Sequence, residues 1–138
     1  MLNIVRTAEV LQRAIADFLD AFGLSSAQYN VLRILRGAGP AGATCSQIGK
    51  RMLTHDPDIT RLLDRMEARG LISRARDGAD RRAVITRITE TGLGLTGKID
   101  QPLQELFATR LGKFGRDEFE SLTAQLEKVR EAFGPETV

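Results

Sequence analysis

The chain has one cysteine and one histidine in 138 residues, and that scarcity removes most metal and thiol chemistry. Cys45 alone cannot build an internal disulfide framework, which agrees with a reducing compartment. His55 has no second histidine to help complete a metal site and sits where a turn is predicted. With one residue of each type, a hydrolytic triad lacks its usual partners, so the chain reads as a non-enzyme with no cofactor. Uninterrupted apolar runs are missing as well. The N-terminal "MLNIVRTAEVLQRAIADFLDAFG" carries Arg6, Glu9, Arg13 and Asp17, so neither a signal peptide nor a membrane span is expected. A cytoplasmic location follows by default, with no membrane partner. Repeats and low-complexity tracts are also lacking.

What is present has globular proportions. Hydrophobic residues make up 42% and charged residues 28%, outside the disordered class and enough for one domain with a core. The net charge of +2 is too small to indicate a polyanion partner, but its distribution is uneven. From Arg69 to Arg87 six arginines (69, 74, 76, 81, 82, 87) face two acids (Asp77, Asp80), a local +4. Such a concentration is the electrostatic footprint of nucleic-acid binding.

Apolar residues at Val5, Ala8, Leu11, Ile15, Phe18, Leu19 and Phe22 recur at three and four, predicting an amphipathic first helix that stops at Gly23. "LSSAQYNVLRILRG" restarts with Ser25 as N-cap, Gln28 completing a capping box and Leu24 stapling against Tyr29, and ends near Gly37. "GAGPAGA" (37–43) is a loop. "TCSQIGKRML" repeats the box with Thr44 and Gln47, predicting a short third helix with Ile48 and Met52 inward. A fourth helix is expected from Pro57, capped by Asp56. Ile59, Leu62, Leu63 and Met66 share one arc, while Thr60, Arg61, Asp64 and Arg65 lie outside it. Gly70 ends that helix. "LISRAR" and "AVITRIT" then form a two-stranded hairpin around "DGADRR". Glycines 92, 94 and 97 argue against helix directly after Thr89. From Ile99 the period returns, with Leu103, Leu106, Phe107, Leu111 and Phe114 in one helix. Phe119, Leu122, Leu126, Val129 and Phe133 give the last helix a narrow 3,4,3,4 seam.

Helix, helix and hairpin with a basic tip is the order of a winged helix-turn-helix. The third helix crosses the phosphate backbone, bringing Thr44 and Ser46 to DNA, and the fourth lies in the major groove. There Thr60, Arg61 and Arg65 face the duplex, arginine being the usual bidentate partner of guanine. Arg76, Arg81 and Arg82 at the turn hold the backbone or enter the minor groove, where negative potential favours guanidinium groups.

Over roughly residues 24 to 93 the chain also resembles the MarR (multiple antibiotic resistance regulator) family of bacterial transcription factors. "LSSAQYNVLRIL" is similar to that family's second helix, and "DITRLLDRMEARGLISR" to its recognition helix and first wing strand. "DRRAVITRITETG" is similar to its wing and the start of its fifth helix. The resemblance implies a mainly α fold with a small two-stranded β wing, made of a winged helix-turn-helix DNA-binding region (24–92) and a helical dimerisation region (1–23 and 99–134). It further implies a homodimer on a pseudopalindromic double-stranded DNA operator, acting as a repressor released by a small-molecule effector. By motif position Arg82 would enter the minor groove, Asp80 would brace it and Arg81 would lie near phosphates. Dimer contacts are expected from Val5, Leu11, Phe119, Leu122, Leu126 and Val129. One departure stands out: Pro57 and Asp58 occupy the positions where the recognition helix usually opens with Ser and Thr. Asp58 there either caps amides or accepts from a cytosine amino group.

Competing readings are weaker. The alternative function is a winged-helix protein-interaction module, which the salt dependence of binding would distinguish. Arginines beside a strand often only keep an edge soluble, and Cys45 at a helix start invites a redox role that isolated cysteines seldom have. "GLGLTGKI" (92–99) has the spacing of a phosphate-binding loop up to Lys98. Ile99, however, stands where a Ser or Thr would hold magnesium.

Overall fold

In a computed structural model, residues 1–53, 58–78 and 83–134 are described. Among them the order is α1 (Leu2–Asp20), α2 (Ser26–Ala38), a 3₁₀ turn (Gly39–Ala41), β1 (Ala43–Thr44), α3 (Cys45–Arg51), α4 (Ile59–Ala68), β2 (Ile72–Arg76), β3 (Val84–Ile88), α5 (Glu90–Leu111) and α6 (Arg116–Ala132). The chain divides into two compact units, Met1–Ile99 and Asp100–Val138.

In the first unit, helix boundaries follow from local chemistry. Both capping boxes form: Ser25 Oγ accepts from Gln28 N–H at 3.2 Å while Gln28 Oε1 accepts from Ser25 N–H at 3.1 Å, and Thr44 with Gln47 repeats the exchange at 3.2 and 2.9 Å. Each satisfies amide groups that a helix start leaves unpaired. Gly70 ends α4 with φ of +69°, so Leu71 N–H reaches Met66 C=O at 3.0 Å and Gly70 N–H reaches Glu67 C=O at 2.8 Å. That left-handed closure is accessible to glycine without steric cost.

The core follows the helical periods. Leu19, Leu24, Tyr29, Val31, Leu32, Ile34, Leu35, Ile48, Leu62, Leu63, Met66, Leu71 and Ile72 are all buried. Burying such side chains contributes roughly 1.5–3 kcal/mol each, so α2, α3 and α4 are held by a common apolar centre.

Two expectations need correction here. The wing is not confined to two strands: β1 joins it in a three-stranded antiparallel sheet of order β1-β3-β2, with Ala43 opposite Thr86 and Thr44 opposite Ile85. Two residues are too short to show an alternating pattern, and glycine and proline before them read as loop. The glycines after Thr89 do not prevent a helix either. Thr89 Oγ1 accepts from Gly92 N–H at 3.1 Å and donates to Gly70 C=O at 2.6 Å, so α5 starts on a threonine cap tied to the end of α4. Its continuous helix through Gly92, Gly94 and Gly97 also removes the phosphate-loop geometry from residues 92–99.

The second unit holds the later part of α5 and α6. Phe107, Ala108, Leu111, Gly112, Phe114 and Phe119 line an apolar depression of about 400 Å³, with the Phe114 and Phe119 rings 5.5 Å apart. α6 has no buried residue among those described. Among the described residues, no helix is long and apolar enough to cross a membrane.

Candidate nucleic-acid interface

Helix α4 is anchored from one side only. Leu62, Leu63 and Met66 are buried and Ile59 is half-buried, whereas Thr60, Arg61, Asp64 and Arg65 are exposed. The apolar arc therefore turns a polar row outward, as the sequence period required. The helix begins later than expected: Asp58, not Asp56, occupies the N-cap position, and its C=O accepts from Leu62 N–H at 3.1 Å. Asp56 and Pro57 lie outside the described residues.

Asp58 has a partner on its own helix. Its Oδ2 is 3.2 Å from Arg61 Nε, with both side chains more than half exposed. Pairing through Nε leaves the two terminal nitrogens of Arg61 without a partner among the described residues, the end of the fork that matches guanine O6 and N7.

Helix α3 leads into α4 through a segment fixed at its start. Asn30 Oδ1 on α2 accepts from Leu53 N–H at 2.7 Å, a contact with no signature in the local sequence. On α3, Ser46 is exposed, but the Thr44 hydroxyl is engaged in its capping box and the residue is half-buried. Thr44 thus positions the helix start, and Ser46 has the freer side chain. Cys45, the first residue of α3, is half-buried.

The six arginines of the basic stretch separate by role. Arg69 donates to Gly23 C=O at 2.8 Å and to Gln28 Oε1 at 3.4 Å, tying the end of α4 to the turn between α1 and α2. Arg87 donates through Nε to Pro40 C=O at 2.8 Å. Arg74 is paired with Asp64 and Glu67. Its guanidinium holds the Glu67 carboxyl below its ordinary value of 4.5, against the opposing effect of desolvation, and its own affinity for the proton is raised by the same contacts. Arg76 stands exposed at the end of β2, opposite Val84. Asp80, Arg81 and Arg82 lie outside the described residues, as does His55.

Sequence reasoning missed the Asp64, Arg74 and Glu67 cluster. The signal available was an acid one turn before the Gly70 stop and an arginine four residues after it. Counting charge along the chain does not show which of them meet.

A helix with a buried arc and an outward polar row, preceded by a short capped helix and followed by an antiparallel hairpin, defines a winged helix-turn-helix protein. Residues 22–83 match the model of the MarR family. Over 93 residues the chain is 38% identical to the HTH-type transcriptional regulator TtmR of Methylorubrum extorquens, covering 67% of this chain and 47% of TtmR. The aligned part thus spans about half the length of that relative. A MarR transcription factor structure from Planctomyces limnophilus is 36% identical, covers 91% of each chain and superposes with a TM-score of 0.71. An Escherichia coli MarR mutant solved with operator DNA is 26% identical, covers 91% of this chain and 89% of its own, and gives a TM-score of 0.81. The chain belongs to the MarR family, whose members are transcriptional regulators and not enzymes.

Proposed function

We propose that the protein is a sequence-specific double-stranded DNA-binding regulator that acts as a homodimer on a pseudopalindromic operator, as a repressor released by a small-molecule effector. The observation that carries the DNA-reading part is the outward row of α4, Thr60, Arg61 and Arg65, together with a hairpin whose first strand ends on exposed Arg76; Arg81 and Arg82 follow in the sequence before β3. In this reading Thr60 and Arg61 reach base edges, and Asp58 directs Arg61. Ser46 approaches the backbone, with Thr44 holding the start of α3. Arg65, Arg76 and Arg81 hold phosphates, Arg82 enters the minor groove and Asp80 braces it.

Dimerisation is supported by apolar surface that one chain leaves in water. On α1, Leu2, Ile4, Val5, Val10 and Leu11 are exposed, and on α6 so are Leu122 and Val129, with Phe119 and Leu126 half-buried. Two helices showing apolar stripes are the material of a helical interface. A twofold dimer then places its recognition helices about 10 base pairs apart or at a multiple of that spacing. The effector and the repressor role rest on the family's behaviour.

The test is fluorescence anisotropy on duplexes selected from a random pool, repeated across a salt series. Selection of a twofold-related motif with a steep negative salt slope is the expected result. Arg61→Ala should cost about 1–3 kcal/mol on that motif and relax one base position in each half-site. A flat salt response without enrichment would favour a winged-helix protein-interaction module instead.

A further inference from the structure

Arg74 lies in the middle of β2, in the stretch whose charge first suggests DNA, yet its side chain is turned inward and only 24% exposed. Its Nη2 is 2.6 Å from Asp64 Oδ1 and 2.6 Å from Glu67 Oε2, and its Nε is 2.9 Å from the same Glu67 oxygen. Its backbone N–H donates to Glu67 Oε1 at 3.0 Å. One carboxylate on α4 thus accepts from both the main chain and the side chain of one wing residue. Because β2 is an edge of the sheet, an outward N–H there has no neighbouring strand, and Glu67 supplies the acceptor instead.

The charges on α4 give this contact a second consequence. α4 itself carries Asp64 and Glu67 against Arg61 and Arg65, so two acids stand on an element meant to enter a groove walled by phosphates. Arg74 keeps its guanidinium on those two carboxylates, so that they offset less of the charge Arg61 and Arg65 present. Ionised hydrogen bonds of this length are the strong kind, so moving Arg74 to a phosphate would leave both acids uncompensated beside DNA.

We propose that Arg74 is a positioning residue for DNA reading: it fixes the wing to the recognition helix and neutralises Asp64 and Glu67, without touching DNA itself. The inference rests on the DNA-binding role proposed above. It makes helix and wing one body, so that base reading by α4 and groove contact by the hairpin tip are set together.

The experiment is anisotropy on the selected operator across a salt series, with the full chain carrying Arg74→Gln, Arg82→Ala, both, or Arg74→Gln with Asp64→Asn and Glu67→Gln. Arg74→Gln is expected to weaken operator binding roughly tenfold with a flatter salt slope as the wing contacts loosen, and neutralising both acids as well should recover part of that loss. Arg82→Ala should cost much less in the Arg74→Gln background than alone, since the wing is then no longer held in place. A merely structural Arg74 would leave the two costs additive, and that result would overturn the positioning role. A slope reduced by about 0.9 per protomer, with no recovery in the triple variant, would instead make Arg74 a direct phosphate contact. Should Arg74→Gln not fold by circular dichroism, Glu67→Gln keeps the Asp64 contact and carries the same cycle. If the wild-type chain itself selects no motif, the DNA-binding role and the positioning role fail together. Normal wild-type binding with additive costs removes only the second.

Discussion

Three glycines in one helix should respond oppositely to the same substitution. Gly92, Gly94 and Gly97 all lie in α5, and in an ordinary helix interior each Gly→Ala change stabilises by roughly 0.5–1 kcal/mol through lower backbone entropy in the unfolded chain and better helix propensity. At Gly94 and Gly97 a Cβ would meet nothing within 4 Å, so both variants should gain about that amount. At Gly92 a Cβ would collide with the Leu71 carbonyl oxygen and come to 2.8 Å from Ile88 Cγ1 and 3.3 Å from Leu32 Cδ2. The carbonyl is fixed because it also accepts from Thr89 N–H at 3.1 Å. Overpacking at such a site costs roughly 1–3 kcal/mol, and Gly92, in the first turn, gains less than usual from helix propensity. Gly92→Ala should therefore lose about 1–2 kcal/mol net, lowering the melting midpoint by roughly 3–8 °C. Gly94→Ala and Gly97→Ala should each raise it by roughly 2–4 °C. Thermal unfolding of the three variants at one fixed protein concentration reads all of this, the concentration being held because the proposed dimerisation would add to apparent stability. If Gly92→Ala melted above the parent, the close packing of α5 against the root of the wing would be wrong.

Other consequences are simpler to state. If the protein is the proposed homodimer, Leu126→Asp with Val129→Asp should make it a monomer in sedimentation velocity at micromolar concentration without reducing the helical circular-dichroism signal; a variant that stays dimeric would place the interface elsewhere. Glu67, whose folded carboxyl lies below its ordinary value of 4.5, contributes stability that is fully present above that pH and is lost as pH falls through the folded value. The stability difference between the parent and Glu67→Gln should thus be constant near neutrality and shrink below about pH 4.5 in urea titrations. A difference that grows on acidification would contradict the pairing with Arg74.

Much of the first unit was legible because local chemistry and burial agree there. Ser25 with Gln28 and Thr44 with Gln47 signal helix starts, and the contacts form as their spacing requires. The arc of Leu62, Leu63 and Met66 fixes which side of α4 faces outward. What stayed hidden depends on partners distant in sequence. β1 has two residues and exists because β3 offers it an edge. Gly92 reads as a helix weakener, but its small size lets α5 approach Leu71 and Ile88. Within the site, the outward row of α4 was readable from its period. The roles of Arg69, Arg74 and Arg87 were not, because nothing in a run of arginines shows that Gly23, Glu67 or Pro40 will be their acceptors. The expected start of α4, Asp56 and Pro57, lies outside the described residues. Proline after aspartate is a strong local start signal, yet the first helical residue is Ile59, with Asp58 at the N-cap.

This division of the arginines has a measurable consequence for DNA binding. If all six arginines between residues 69 and 87 met phosphates, a dimer would release counterions with a slope of about −11 from this stretch alone, taking about 0.9 per phosphate. With Arg69, Arg74 and Arg87 committed to Gly23, Glu67 with Asp64, and Pro40, the proposed reading leaves Arg76, Arg81 and Arg82 for DNA, and the contribution falls to about −5. A net charge of +2 adds little long-range attraction, so these contacts should dominate the salt response of the wing. Replacing Arg76, Arg81 and Arg82 together by glutamine should accordingly flatten the measured slope by about 5, with circular dichroism recorded alongside to show that the fold is kept. A loss of less than about 2 would mean that the wing does not reach the backbone, and recognition would then depend on α4 alone. A loss near 5 would confirm that half of this basic stretch builds the protein and the other half binds DNA.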